Sequence, residues 1–74
     1  MNPSPTYIAV TRRPRGPVHL SEHGHYTLCQ WHITGRWQRL EEPISLAVLL
    51  LSDGVRICRE CGREIKRRHG LDLA

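Results

Sequence analysis

The stretch that decides the fold is "RICRECGREIKRR", residues 56–68, which places two cysteines among six basic and two acidic side chains. Cysteines separated by two residues can occupy two corners of a tetrahedral metal site, and Gly62 directly after them gives the unhindered backbone that a tight knuckle needs. A thioredoxin-type redox pair has the same spacing, but it lies at the start of a helix within a strand-helix-strand unit. This chain is too short to form such a unit. We therefore interpret Cys58 and Cys61 as metal ligands.

Zinc prefers four ligands drawn from thiolate and imidazole, so two more are needed. The chain has three cysteines, an odd number that argues against a disulfide framework, and Cys29 is the third ligand that remains. A histidine must then be the fourth ligand. His32 completes a C-x2-H pair with Cys29, whereas His19 lies opposite Cys29 if a hairpin turn is centred on Gly24. Three others are weaker alternatives: His23, His25 and His69.

The length of the chain indicates a need for such a metal. Its 74 residues include no Phe and only two Trp and two Tyr, and a domain of this size buries too little apolar surface to be comfortably stable alone. We predict an extended Pro/Arg-rich arm at residues 1–17 and a single zinc-binding domain at 18–74. With four protein ligands the site is closed, so the one zinc ion is predicted to be structural rather than catalytic.

The pattern of apolar, turn and capping residues predicts a small α+β domain. β-branched and aromatic residues indicate a strand at 6–11, and Gly24 indicates a hairpin across 18–33 that pairs Leu20 with Leu28. A third strand is expected within 34–43, then a helix of two to three turns that begins near Glu41 and Glu42 and continues through Leu51. A strand at 54–57 then leads into Cys58, and a knuckle turn at Gly62 precedes a short basic helix that ends near Gly70.

Three short stretches, "VHL", "TLCQ" and "VRICRECGR", resemble a pattern in short His/Cys zinc-binding proteins of actinobacteria and their phages. The resemblance covers about residues 18–63, although Gln30 stands where that pattern usually has Gly and the segment 31–54 is longer. It implies that the histidine nine or ten residues before the first cysteine, His19, is the fourth ligand, with His32 close behind. It also implies an architecture like a treble clef or zinc ribbon, with a β-hairpin, a zinc knuckle and two short helices.

The basic residues indicate an acidic partner. The net charge is +4 and ten of the eleven basic residues are Arg, whose planar guanidinium binds phosphate in a two-pronged way. We predict contacts with nucleic acid, or with an acidic protein, from the arm and one face of the basic helix. Trp31 and Trp37 are expected in the core, which leaves no stacking platform and favours duplex DNA. The predicted contact residues are Arg12, Arg13, Arg15, Arg59, Arg63, Lys66 and Arg67.

A second prediction rests on "ISLAVLLL", residues 44–51, which would be apolar nearly all round as a helix. Such a helix must be covered on more than one side, and a domain this small covers it incompletely. The alternative function is therefore a protein-interaction module, either a phage-type modulator or a subunit of a larger complex, and the helix would also suit a homodimer. The interface would contain Ile44, Val48, Leu49 and Leu51.

No Ser/His/Asp set, phosphate-binding loop or paired carboxylates in a suitable setting is visible, so the sequence favours a non-enzymatic protein. There is no apolar run of signal-peptide or membrane-spanning length, which predicts a cytoplasmic location and no membrane partner. Together these features predict a small zinc-binding regulatory protein, related to transcription, that binds DNA.

Overall fold

The protein is described by a computed structural model, which covers residues 5–40, 42–51 and 56–72. It is a small α+β fold of an antiparallel sheet and two helices. In chain order the elements are β1 (Thr6–Thr11), β2 (Val18–Ser21), β3 (Gln38–Arg39), β4 (Ile44–Ser45), α1 (Leu46–Leu51) and α2 (Arg59–His69).

The first strand is the centre of the sheet. It pairs with β2, β3 and β4, all antiparallel, with Val10 opposite both His19 and Arg39 and with Tyr7 opposite Ile44. The strand predicted at 6–11 is therefore confirmed, but the placement of residues 1–17 in an arm outside the domain needs correction. Tyr7 and Ala9 are buried because β1 has partners along both edges, so the domain includes this strand.

The core lies between the sheet and the two helices. It contains residues from β1, β2 and both helices together with Leu28, and the side chains of Leu20 and Ile65 are fully buried. Cys61 belongs to the same cluster, so a predicted metal ligand is also part of the core. The hydroxyl of Tyr7 lies 2.7 Å from Nε2 of His69 and connects β1 to the end of α2.

The apolar helix begins later than predicted. Glu41 lies outside the described residues, and Ile44 and Ser45 form β4 instead of a first helical turn. The Ser45 hydroxyl accepts a hydrogen bond from the Val48 N–H at 3.2 Å, which is the bond that an N-cap residue makes. The helix therefore starts at Leu46 and has six residues.

The basic helix ends where predicted but starts earlier. Gly70 caps it in the left-handed conformation (φ 71°), and its N–H donates to the Lys66 carbonyl. At the other end Cys58 is the N-cap residue and the Gly62 N–H donates to the Cys58 carbonyl at 2.9 Å. Gly62 therefore lies inside α2 and not in a knuckle that precedes it.

Residues 56–58 run parallel to the start of β2. Val18 donates to the Arg56 carbonyl at 2.7 Å and accepts from the Cys58 N–H at 2.8 Å. The predicted strand at 54–57 is thus represented by a parallel bridge at Ile57, while residues 52–55 lie outside the described part. This bridge places Cys58 beside β2, the strand that contains His19.

Candidate metal centre

Four side chains from three parts of the fold meet at one point. His19 lies in β2, Cys29 lies in the turn that follows the hairpin, Cys58 precedes α2, and Cys61 lies in the first turn of that helix. One nitrogen and three sulfur atoms from these residues all lie within 4.8 Å of one another. We call this group the His/Cys site; its members are the four ligands favoured from the sequence.

The separations fit a metal in the middle. Nδ1 of His19 lies 3.5 Å from the Cys29 Sγ and 3.9 Å from the Cys61 Sγ, and the sulfurs of Cys29 and Cys58 are 4.0 Å apart. Bonds of about 2.0 to 2.3 Å from a tetrahedral zinc ion would place its ligand atoms roughly 3.6 to 3.8 Å apart. Small movements would therefore bring these donor atoms into coordination.

The hairpin sets the relative position of His19 and Cys29. Ser21 pairs with Thr27, and the Leu28 N–H donates to the Leu20 carbonyl at 2.7 Å, which is the register predicted for a turn centred on Gly24. Gly24 has φ 87°, and a Cβ there would lie 3.1 Å from the Arg39 guanidinium. A residue with a side chain would therefore be strained at this position.

Ser21 is a supporting residue that sequence reasoning missed. Its hydroxyl is fully buried, accepts from the Gly24 N–H at 2.8 Å and donates to the Tyr26 carbonyl at 2.6 Å. A serine three residues before a glycine is a signal for a side-chain-stabilised turn, and it could have been read from "SEHG". These two bonds close the hairpin loop.

Backbone bonds across Thr27 shape the turn that presents Cys29. The Gln30 N–H donates to the Thr27 carbonyl, and the Thr27 N–H donates to the Trp31 carbonyl, both at 2.9 Å. Gln30 has φ 70°, the left-handed region that favours glycine. Gln30 stands where the pattern that this chain resembles usually has Gly. The backbone at this position adopts a conformation that Gly tolerates better than Gln.

We expect Gln30→Gly to stabilise the metal-loaded protein by about 0.5–1 kcal/mol. Relief of the left-handed strain contributes roughly 1–2 kcal/mol, and the added freedom of the unfolded chain offsets about 0.4–1 of it. Urea denaturation with zinc present measures the change. Gln30→Ala is the matched control because it shortens the side chain without relieving the backbone; an equal gain from both variants would contradict this explanation.

Two hydrogen bonds support the sulfur ligands. The Thr27 hydroxyl accepts from the Trp31 N–H at 2.9 Å, so its own proton is available to the Cys29 sulfur 3.0 Å away. The Leu20 N–H donates to the Cys61 sulfur at 3.5 Å. Donors of this kind stabilise thiolates and orient metal ligands, and Thr27 is a second residue that the sequence analysis did not identify.

Burial controls the protonation of the site before metal binds. Desolvation raises the pKa of Cys61 to about 12, so its thiol is neutral at pH 7. Desolvation, and secondly the positive charge of Arg12, lowers the pKa of His19. A neutral imidazole is ready to coordinate, whereas Cys61 must release a proton. Binding of a metal cation would also offset the desolvation penalty of burying the Cys61 thiolate in the core.

The other histidines lie outside the site. His32 is exposed and its ring lies 5.2 Å from that of Tyr26. His23 and His25 are exposed in the hairpin turn, and His69 is held by Tyr7. Among the described residues, the group placed to hold a metal ion contains His19 and not His32.

The predicted nucleic-acid residues separate into two groups. On α2, Arg63 pairs with Glu60, Lys66 with Asp72, and Arg67 with Glu64 at 2.7 Å. Arg68 pairs with Glu22 and, at 3.8 Å, with Glu64. In contrast, Arg59 and the three arginines after β1 form no ion pair within the described part of the chain; those three are Arg12, Arg13 and Arg15, called the loop arginines below.

The tryptophans are not in the core, which corrects the sequence-based expectation. Trp31 is 45% exposed and Trp37 is half-buried. Their rings meet edge to face at 6.2 Å, and Arg12 lies 4.6 Å from the centre of the Trp31 ring. An aromatic surface is therefore present beside the loop arginines.

The predicted partner interface also changes. Leu49 is buried and Ile44 packs partly buried against the core, whereas Val48, Leu50 and Leu51 are 51%, 42% and 83% exposed. One side of α1 packs against the core, and its other side lies at the surface. Only the Val48 and Leu51 part of the predicted interface is therefore available there.

Comparisons with known protein families, with curated proteins and with solved structures gave no match. The resemblance to actinobacterial and phage zinc proteins therefore stays a prediction. No described helix has the length and apolar character to cross a membrane. Fold and site define the class: a small α+β domain whose His/Cys site is placed to bind one metal ion.

Proposed function

We propose that the protein is a small, non-enzymatic zinc protein whose metal is structural and whose loop arginines bind nucleic acid in a regulatory role. The donor set supports zinc because three sulfurs and one imidazole nitrogen match a structural zinc site. Four protein donors complete a tetrahedron and leave no position for a substrate. Cys61 and His19 are buried, which also suits an ion that holds the fold together.

The observation that carries the nucleic-acid proposal is the distribution of ion pairs. Arg63, Lys66 and Arg67 each have a carboxylate partner, so the charges of these three side chains are locally compensated. The loop arginines have no such partner among the described residues. They are exposed, and Arg56 adds charge beside them because its guanidinium donates to the Arg15 carbonyl at 3.5 Å.

The β1–β2 loop is well placed to follow a phosphate backbone. Its ends are fixed by β1 and β2, and the Gly16 N–H donates to the Arg13 carbonyl at 3.0 Å, which forms a turn. Arginines held on a short, ordered loop lose less freedom when they bind than arginines on an unstructured arm. The loop therefore replaces the predicted extended arm as the proposed contact region.

Nucleic-acid affinity measured as a function of salt tests this proposal with two charge-matched variants. We expect Arg13→Ala/Arg15→Ala to weaken binding at least about tenfold at low salt and to reduce the slope of log affinity against log salt by roughly two contacts. Arg63→Ala/Arg67→Ala removes the same charge from α2 and should change binding much less. Equal losses in both variants would show that net charge alone is responsible, and no binding by the unmodified protein would refute the proposal.

A protein-interaction module is the second candidate, favoured by the exposed side of α1. Val48, Leu50 and Leu51 form this side, which we call the α1 apolar face. Burial of such a face would give an assembly that survives high salt, whereas arginine-phosphate contacts weaken. A dimer that persists at high salt and is dispersed by Leu51→Ser would favour this candidate.

A further inference from the structure

We infer that Trp31 is a stacking platform for a single-stranded nucleobase, with the loop arginines holding the adjoining phosphates. This inference rests on the proposed nucleic-acid function and specifies its ligand. It replaces the expectation of duplex DNA, which depended on both tryptophans being buried. Trp31 is instead 45% exposed, next to arginines that lack carboxylate partners in the described chain.

The turn that carries Cys29 holds the backbone of Trp31, and neighbouring rings hold its side chain. The Trp31 N–H donates to the Thr27 hydroxyl, and the Trp31 carbonyl accepts from the Thr27 N–H, both at 2.9 Å. Trp31 is two residues from Cys29, and its ring is stacked towards His19 with centroids 6.2 Å apart. The site therefore orders the platform before any ligand arrives.

The ring carries a cation in the free protein. Arg12 lies over it at 4.6 Å, and the exposed guanidinium on a surface loop can move away. A base has a π face that can take the place of Arg12 on the ring, or stack on the guanidinium plane itself. Either arrangement leaves the Arg12 charge beside the phosphate of the same nucleotide, so base and phosphate are recognised together.

The surroundings are suited to a nucleotide strand. Trp31 lines a groove with Arg12, Arg13, Gly16, Pro17 and His19, which joins the aromatic ring to the basic loop. Single-stranded nucleic acid is bound by this combination of aromatic side chains and a basic track, and its bases are accessible, whereas a duplex hides them. The occupant we infer is therefore a single strand of DNA or RNA with little base preference.

Tyr26 provides a matched control. It is 53% exposed and its ring lies against His32 as Trp31 lies near His19. However, Tyr26 lines a depression whose arginines, Arg67 and Arg68, are paired with Glu64 and Glu22, so the cations there are already compensated by carboxylates. We expect no nucleic-acid contact there.

The experiment compares binding of a labelled oligothymidylate, the matching oligouridylate and a hairpin duplex to the zinc-loaded full chain. We expect Trp31→Ala to weaken single-strand binding about 5- to 100-fold and to leave duplex binding nearly unchanged. Trp31→Phe should recover much of the affinity, and Tyr26→Ala should have no effect. Zinc content of each variant shows that its site is intact, and Trp31→Leu, which keeps an apolar side chain but has no π face, keeps the test valid if Trp31→Ala fails to fold.

The outcomes separate the two proposals. If the unmodified protein binds strands and duplex but Trp31→Ala or Trp31→Leu changes both equally or neither, the platform is wrong and the proposed nucleic-acid function stands. If the unmodified protein binds neither form at low salt, the proposed function fails and the platform fails with it. A preference for single strands that depends on Trp31 would establish the inference.

Discussion

Removal of zinc by a chelator should unfold this protein completely. Cys61 is fully buried in the core beside Leu20 and Ile65, and Cys29 and Cys58 pack against that core, so the His/Cys site is continuous with the apolar core. A core of this size in a chain below about 80 residues rarely supplies more than roughly 3–5 kcal/mol of stability. Structural zinc contributes apparent binding free energies of about 10–16 kcal/mol in comparable peptides, so its loss should reverse the folding equilibrium.

Circular dichroism and native mass spectrometry measure this result together. One zinc ion per chain should be present at the start, and helix and sheet signals should disappear as the ion is withdrawn. They should return when zinc, but not magnesium, is added back, because thiolate and imidazole ligands do not suit magnesium. A chain that keeps its secondary structure and sharp side-chain resonances in excess chelator would contradict a structural role for the metal.

His19→Ala should remove most of the zinc affinity, whereas His32→Ala should leave it unchanged. Nδ1 of His19 lies 3.5 Å from the Cys29 sulfur, while the exposed His32 lies near Tyr26 and outside the His/Cys site. Loss of a direct ligand should exceed the roughly 10- to 100-fold reduction that follows loss of a residue supporting a ligand. Competition with a chromophoric chelator measures both affinities.

His19→Cys distinguishes loss of a ligand from loss of packing. This variant restores four donors as an all-cysteine set, which is also a structural zinc site, so it should recover much more affinity than His19→Ala. Full zinc binding by His19→Ala, together with a loss in His32→Ala, would reassign the fourth ligand to the C-x2-H pair.

The sequence by itself determined the chemistry of the site. The identity of three cysteines, the C-x2-C spacing and the turn at Gly24 are local properties, and local spacing limits where the nearby side chains can go. It also placed the strand at 6–11 and the end of α2 at Gly70, because strand propensity and the glycine cap act within a few residues. Local spacing alone did not distinguish His19 from His32 as the fourth ligand. The preference for His19 came from the predicted hairpin register and from the resemblance.

Only the tertiary structure decided features that depend on residues distant in the chain. Tyr7 pairs with Ile44, and that pairing places β1 at the centre of the sheet and converts the start of the predicted helix into β4. The pairing of Arg68 with Glu22 joins α2 to the hairpin turn, whereas the carboxylate partners of Arg63 and Arg67 lie within α2 and are local in sequence. Trp31 is exposed because the small core is already filled by aliphatic side chains, Cys61 and Tyr7, a result that aromatic composition does not reveal.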